Sequence, residues 1–351
     1  MAEIWGEVFT RLEAKSDLTE PLASGVMTEI LEGHAEEENI KKFLLLLKEK
    51  GESATDISLL VNQLFRYALP ISIADRAVDP VGTGGDGKNS VNISTSAAIV
   101  TTAAGARVVK HGSIAASSKS GSADVLAALG VATDLHGEAV AKSVHKLGIG
   151  FLKATTFHSA LRFAAPARRS LGVPTVFNIL GPLANPARPK AIALGVAAPE
   201  KLPVMAKVIA DRGGEGFAFR GDDGIDELTI GDTSTIIQIN DGEMAAFTFD
   251  PQDIGIERAP LSALVGGTPE ENAAIIKDIF RGKSGPIRDA ILLNAAIAIA
   301  AFKGDFSVGV TQQIANGYVM AAQAIDSGKA FELLENWAAY TQELSAAQNQ
   351  G

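Results

Sequence analysis

Apolar positions recur at helical spacing through the first seventy residues of this 351-residue chain, then give way beyond residue 77 to short apolar runs separated by helical patterns. Leu22, Val26, Met27, Ile30 and Leu31 fall on one face, with Thr19 as a cap, Pro21 in the first turn and Gly33 as the stop. A second helix carries Ile40, Phe43, Leu44 and Leu47 before Gly51. A third, capped near Thr55, carries Ile57, Leu60, Val61, Leu64 and Phe65. Three short amphipathic helices cannot bury their apolar faces alone, so this segment is expected to pack on the main domain or on a second subunit. Downstream, the spacing predicts strands over 77–81, 106–109, 150–152, 175–177, 191–196, 216–220, 234–239 and 245–249. Helices are predicted over 93–104, 123–129, 138–147, 159–171, 199–211, 269–280, 287–302, 311–325 and 330–340, with a Pro/Gly-bearing loop over 181–189. The fold class is α/β: a small helical domain over 1–74, with part of 160–190 as a candidate addition, and a larger domain over 75–351 in which helices flank a central mixed or parallel sheet.

Composition narrows the possible partners. Lys plus Arg total 31 against 41 Asp plus Glu, a net charge of −10, and an acidic chain without basic runs argues against nucleic-acid binding. Zero cysteines exclude disulfides, thiolate metal sites and a cysteine nucleophile. The opening MAEIWGEVF has no basic stretch before an apolar core, so no signal peptide is expected. The longest apolar run, 290–302, is interrupted by Asn294 and falls short of the roughly 20 residues of a membrane span. A soluble cytoplasmic protein is the expectation.

The chemistry concentrates between residues 79 and 123. Two glycine- and hydroxyl-rich loops, 82–92 and 110–122, flank a small-residue helix pattern and a short strand pattern. Glycines let backbone N–H groups approach an oxyanion, hydroxyls add donors without bulk, and a helix N-terminus adds its dipole. The first loop, Gly82-Thr83-Gly84-Gly85-Asp86-Gly87, lacks the Lys-Ser/Thr of a nucleoside triphosphatase loop, and Asp86 would repel a phosphate unless it faced a ribose hydroxyl or a cation. Asn92-Ile93-Ser94-Thr95-Ser96 opens the next helix with more hydroxyls than a cap needs. Lys110-His111-Gly112 ends a buried strand, where a lysine can neutralise phosphate charge. His111 belongs to no evident Ser-His-Asp order, and a histidine at a strand end is at least as often a structural hydrogen-bonder. Asp226-Glu227, within GDDGIDELT, either form a solvated acidic turn or hold Mg²⁺ through a few oxygens while substrate phosphates supply the rest. Arg168-Arg169 follow His158, and an arginine fork suits a substrate carboxylate.

GTGGDG with NIST, KHG with SSKSGSADVL, RRSLGVPTVFNILGPLANPA and DGIDEL, in that order, resemble the anthranilate phosphoribosyltransferase family over nearly the whole chain. The resemblance implies the nucleoside phosphorylase/phosphoribosyltransferase fold and a homodimer formed through the N-terminal helices. It also implies Mg²⁺-dependent attack of the anthranilate amine on C1 of 5-phosphoribosyl 1-pyrophosphate (PRPP), the second step of tryptophan synthesis from chorismate. Carried over by motif, Gly82, Gly85, Asp86, Ser90, Asn92, Ile93, Ser94 and Thr95 would hold PRPP, completed by Lys110, Ser118 and Ser122. Ser94, Asp226 and Glu227 would hold Mg²⁺. Gly82, Ser113, His158 and Arg168 would meet anthranilate. No general base is required of an amine that is already neutral, and His111 would only position ring or backbone. The chain departs from the family pattern at Ser113-Ile114, where the family has Asn-Arg, and at Ser159, where it has proline. A different aromatic amine acceptor is therefore the alternative. A pyrimidine nucleoside phosphorylase is less favoured, because phosphorolysis needs no acidic Mg²⁺ pair.

Overall fold

The computed structural model describes residues 2–115 and 119–350. Four helices come first: α1 (Ala2–Glu13), α2 (Glu20–Leu31), α3 (Glu37–Lys50) and α4 (Ala54–Tyr67). The last three follow the expected apolar faces. α1 is an addition to them, burying Trp5, Val8 and Leu12 at three- and four-residue spacing. Ser53 rather than Thr55 caps α4: its Oγ accepts from Asp56 N at 3.1 Å while the Asp56 carboxylate accepts from Ser53 N at 3.0 Å. That carboxylate also takes Leu18 N at 2.8 Å and the Lys50 ammonium at 2.7 Å, which ties three turns of the helical layer together. Thr19 makes no capping bond, and the start of α2 rests on Pro21 in its first turn.

The α/β part runs β1 (Val78–Gly82), α5 (Ile93–Ala103), β2 (Val108–Gly112), α6 (Ser122–Ala128), α7 (Gly137–Leu147), β3 (Ile149–Lys153), α8 (Ala154–Phe157), α9 (Ala165–Leu171) and α10 (Phe177–Leu183). It continues with β4 (Ala191–Gly195), α11 (Leu202–Asp211), β5 (Glu215–Gly221), β6 (Ser234–Asn240), β7 (Glu243–Phe249), α12 (Pro269–Phe280), α13 (Pro286–Lys303), α14 (Val310–Asp326) and α15 (Lys329–Gln348). The sheet order is β3-β2-β1-β4-β5-β6-β7. The strands from β3 to β5 pair in parallel, and β6 and β7 add antiparallel. Asp241-Gly242, both at positive φ, form the two-residue turn between those last strands.

Strand side chains alternate between two cores, as a sheet covered on both faces requires. Ile192 and Leu194 face α1–α4, α10 and α11; Ala191 and Ala193 face the opposite layer, where α13 lies buried from Ala290 to Ala301. The helical layer shares its core with Ala164 and Ala167 near α9 and with Phe177, Leu180 and Leu183 of α10. Among the described residues no helix is long and apolar enough to cross a membrane.

Three further expectations are corrected. Residues 175–177 are not a strand: Thr175 N donates to Asn178 Oδ1 at 3.0 Å and Asn178 N to Thr175 O at 2.9 Å, a turn that starts α10. Both flanks of β1 are already taken, by β2 and β4. The helix expected over 159–171 divides into a 3₁₀ segment, Ser159–Phe163, and α9, with Pro166 in the first turn of α9, the position a proline tolerates. The loop expected over 181–189 begins later, since α10 continues through Pro182 to Leu183.

Candidate active site at the carboxyl ends of β1, β2 and β4

β1 has β2 on one side and β4 on the other, so successive connections leave it in opposite directions. The crevice outside the carboxyl ends at such a point is where open α/β sheets bind ligands. Gly82, Gly112 and Gly195 end the three strands there, and the loop after β5 brings Asp226 and Glu227 over them.

The first glycine loop is shaped as much by that acidic loop as by any ligand. Gly84, Gly85 and Gly87 have φ of 64°, 77° and 70°, which side-chain-bearing residues rarely adopt. Gly84 N donates to Asp226 Oδ2 at 2.6 Å. A Cβ on Gly82 would lie 2.5 Å from the same oxygen, and one on Gly195 would lie 1.7 Å from the Asp226 carbonyl oxygen. Thr83 N donates to Gly195 O at 3.0 Å and Thr83 Oγ1 accepts from Ala197 N at 3.0 Å, pinning the loop to β4.

α5 directs its N-terminus into the same space, and Glu227 meets it: Ser94 N donates to Glu227 Oε1 at 3.0 Å. Lys110, fully buried at the end of β2, donates from Nζ to Pro80 O at 2.6 Å and to Ser94 Oγ at 3.3 Å. Between Ser94, Glu227 and Asn294 lies a cavity of about 10 Å³, close to the volume one water molecule needs. Three carboxylates, those of Asp79, Asp226 and Glu227, thus gather around one buried ammonium, with Asp86 beside Asp226 and Glu227. Burial pushes Asp79 up to about 7 against the pull of Lys110 and of two N–H donors, His111 N at 3.1 Å and Asn185 Nδ2 at 2.8 Å. Burial and the neighbouring Asp86 push Asp226 up to about 7. Burial and Asp226 raise Glu227 well above the usual carboxylate range. Burial likewise lowers Lys110, opposed chiefly by Asp79 and Glu227.

This donor set fits a hard divalent cation. Asp86 Oδ2 is buried without a hydrogen-bond partner, and Asp86 raises Asp226 while Asp226 raises Glu227, a crowding of carboxyl groups whose ionised forms a bound cation would favour. Among the described residues no group of three or more His, Cys, Asp or Glu side chains could hold a metal ion, so Asp226 and Glu227 would share such an ion with oxygens from a substrate.

The other predicted residues divide between the cleft and its framework. Asn92 donates to Ser120 O at 3.0 Å and accepts from Ser120 Oγ at 3.0 Å and Asn272 Nδ2 at 2.9 Å. Thr95 Oγ1 donates to Ser122 Oγ at 3.0 Å, a second stitch between α5 and the 110–122 loop. Ser90 bridges Val265, which docks the first loop on the segment before α12. Ile93 is buried in the core. Ser113 O accepts from Ala123 N at 3.1 Å, its side chain is half-buried, and Ile114 is exposed. Ser118 lies outside the described residues. Asp124 closes the far side of that loop, accepting from Ala115 N and Gly121 N, both at 2.8 Å.

His111 and His158 form an edge-to-face pair 5.3 Å apart. His111 Nδ1 bonds Gly181 O at 3.0 Å and His158 Nε2 bonds Ala184 O at 2.8 Å. With those nitrogens donating, His111 Nε2 and His158 Nδ1 are left as buried acceptors without partners. Burial, then His158, depress His111 to about 3, and burial lowers His158. Arg168 lies over the Phe177 ring at 5.3 Å, and burial lowers its pKa.

Asp79, Asn185, Asn272 and Asn294 carry much of this framework without any role having been predicted for them. Asp79 opens the stretch that concentrates the chemistry and Asn185 lies within a quoted motif, but neither carried a signal of its own, and Asn272 sits in ordinary-looking sequence. Asn294 alone gave a signal, as the polar break in the longest apolar run.

A glycine-rich loop, a helix N-terminus and a buried lysine, faced by two carboxylates at the switch point of a mixed sheet, have the chemistry that a metal-bound phosphorylated substrate would need. In agreement, residues 74–331 match the family described as "Glycosyl transferase family, a/b domain". The chain is 47% identical over 346 residues to anthranilate phosphoribosyltransferase of Rhodococcus jostii, covering 99% of this chain and 96% of that relative. It superposes on the crystal structure of anthranilate phosphoribosyltransferase from Thermus thermophilus with a TM-score of 0.88 at 38% identity, covering 95% of this chain and 99% of that one. It also superposes on the Saccharomyces cerevisiae enzyme in complex with PRPP and Mg, with a TM-score of 0.86 at 29% identity, covering 97% and 98%. The chain belongs to the anthranilate phosphoribosyltransferase family.

Proposed function

We propose that this protein transfers the phosphoribosyl group of PRPP to the amine of anthranilate with release of pyrophosphate, using Mg²⁺. The observation that carries the reading is the meeting of Asp226 and Glu227 with Gly84, Ser94 and Lys110 at the carboxyl end of β1. In this reading Asp226, Glu227 and Ser94 Oγ hold Mg²⁺, which when bound neutralises the leaving pyrophosphate. The glycine loop 82–87 supplies N–H groups to the donor's phosphates, and Ser90, Ser118 and Ser122 supply hydroxyls. Lys110 donates to the buried Pro80 O and to the half-buried Ser94 Oγ, so its share is to fix Ser94 and Pro80 rather than to move a proton. Asn92 and Thr95 act one step back, holding the second loop against α5.

Arg168 supports binding of the acceptor's carboxylate: its guanidinium is half-buried, and burial is the one influence on its ionisation. His158 borders the acceptor, and His111, depressed to about 3, stays neutral at physiological pH and serves to position. The chemistry needs no strong base. An oxocarbenium-like C1 demands alignment and a neutralised leaving group, and anthranilate's amine is already uncharged.

The proposal extends to assembly and location. Residues 1–74 with part of 160–190 form one helical unit, supported by their common core, and that unit pairs two copies of the chain. Exposed Leu45 and Phe163 support such pairing. The reaction is placed in the cytoplasm.

The test mixes protein, PRPP, Mg²⁺ and anthranilate and follows loss of anthranilate fluorescence. Turnover is expected. Ser113 and Ile114, where the family has Asn-Arg, favour one competing reading, a different aromatic amine. No turnover with anthranilate together with pyrophosphate release from another amine would establish that reading instead.

A further inference from the structure

Among the described helices α13 carries the longest unbroken buried run: every residue from Ala290 to Ala301 is buried, and all but Asn294 are apolar. A polar side chain in such a place costs stability unless its hydrogen bonds are made. Asn294 makes three. Its Nδ2 donates to Leu228 O at 3.0 Å and to Ala290 O at 2.9 Å, and its Oδ1 accepts from Leu228 N at 2.8 Å. The amide thus grips Leu228 by both backbone groups, much as a neighbouring strand would. Leu228 directly follows Asp226-Glu227, and its side chain is sunk in the core that α13 centres. The other end of the acidic segment is held where the Asp226 backbone crosses Gly195. Asn294 also borders the cavity beside Glu227 and Ser94.

A two-point grip on the residue after a carboxylate pair fixes both the height of the backbone and the direction in which the carboxylates leave it. We propose that Asn294 is the positioning residue that presents Asp226 and Glu227 to the divalent cation, acting through the Leu228 backbone and touching neither metal nor substrate. The inference rests on the Mg²⁺ reading of that pair. A side chain that only filled space in α13 would be replaceable by leucine, which is similar in volume. One that sets the acidic segment would not.

The experiment measures Mn²⁺ affinity by electron paramagnetic resonance in the presence of PRPP, for the full-length protein and for Asn294→Leu and Asn294→Ser. Both variants are expected to bind Mn²⁺ about tenfold more weakly or worse, the scale on which supports of metal ligands act. Their anthranilate KM should be unchanged, and raised Mg²⁺ should restore most of kcat. Wild-type Mn²⁺ affinity in either folded variant would overturn the proposal. If the wild-type protein with PRPP binds no Mn²⁺, the Mg²⁺ reading itself fails, which keeps the two failures apart. Should a variant not fold, hydrogen exchange on the wild-type protein decides: the Leu228 amide must exchange as slowly as the amides of α13. Faster exchange would show that Asn294 does not hold the loop.

Discussion

The His111–His158 pair makes an acid-sensitive element of the junction between β2 and α10. His111 is depressed from an ordinary 6.5 to about 3, mostly by burial, then by His158 5.3 Å away and by Lys110. An unfolded chain therefore takes up a proton at this side chain from about pH 6.5 downward, whereas the folded protein declines it until about pH 3. Between those limits the unfolded state binds more protons, so stability is complete above pH 6.5 and drains away as pH falls. Each unit of pH in that window is worth about 1.4 kcal/mol, so His111 alone accounts for a loss of about 2 kcal/mol by pH 5. Asp79 works the other way: raised to about 7, it contributes stability at low pH that is lost as pH climbs from 4 to 7. The wild-type profile therefore mixes two opposing slopes.

The difference between wild type and His111→Asn isolates one of them. Asparagine keeps a donor for Gly181 O and loses the titrating ring. The stability advantage of wild type, followed by urea unfolding from pH 7.5 to 5, is expected to shrink by about 2 kcal/mol, with the Asp79 contribution common to both proteins. In parallel, the His111 Cε1 proton resonance should not move between pH 8 and 5. A constant gap across that range, or a His111 resonance that titrates near 6.5, would refute the argument that burial keeps this ring neutral.

Asp226→Asn combined with Glu227→Gln should reduce turnover by about tenfold or more, the consequence of losing a few kcal/mol of charge stabilisation; unchanged rates at limiting Mg²⁺ would remove the metal assignment. Ser113→Asn should lower the KM for anthranilate while leaving that for PRPP unchanged, and a change confined to PRPP would place Ser113 on the donor side of the cleft. Gly195→Ala would set a Cβ 1.7 Å from the Asp226 carbonyl oxygen, so backbone must move. Its expected cost is about 1–3 kcal/mol of stability, together with weaker Mn²⁺ binding in the presence of PRPP, checked by thermal unfolding and by resonance titration.

Local chemistry was legible in the sequence wherever one short stretch carried its own meaning. GTGGDG, NIST, KHG and DGIDEL each announce glycine freedom, donors or charge without reference to the rest of the chain, and the fold does converge on all four. What could not be read is which groups those stretches spend on one another. Asn92 looks like a ligand donor from its neighbours, but its amide is satisfied by Ser120 and by Asn272, 28 and 180 residues away. Gly82 reads as a phosphate glycine, and its lack of a side chain is required by Asp226. The short run at 175–177 is compatible with a strand or a helix start, and the Thr175–Asn178 turn, with both flanks of β1 already taken, settles which. The division of 159–171 was available in principle, because Pro166 marks a helix's first turn rather than its middle.

The structure also changes the electrostatic sense of the opening motif. Glycines, hydroxyls and a helix N-terminus read as a ready cradle for an anion, yet one carboxylate of the protein already takes Ser94 N and another takes Gly84 N. A polyanionic donor entering this cleft meets Asp86, Asp226 and Glu227 before it meets the buried Lys110. With Asp226 raised to about 7 and Glu227 well above the usual carboxylate range, a pyrophosphate arriving without a cation either meets negative charge or leaves these groups protonated and unable to act as ligands, and a lysine held behind Pro80 O and Ser94 Oγ offsets neither. The sign is restored if donor and divalent cation arrive together, because the same carboxylates that repel the bare donor then attract the complex. On this reading the glycine loop and α5 hold the acidic pair in readiness, and selectivity for a metal-bound donor follows from the charge of the cleft itself. PRPP without a divalent cation should therefore bind far more weakly than with one, whereas an anion cradle of the simple kind would show little difference.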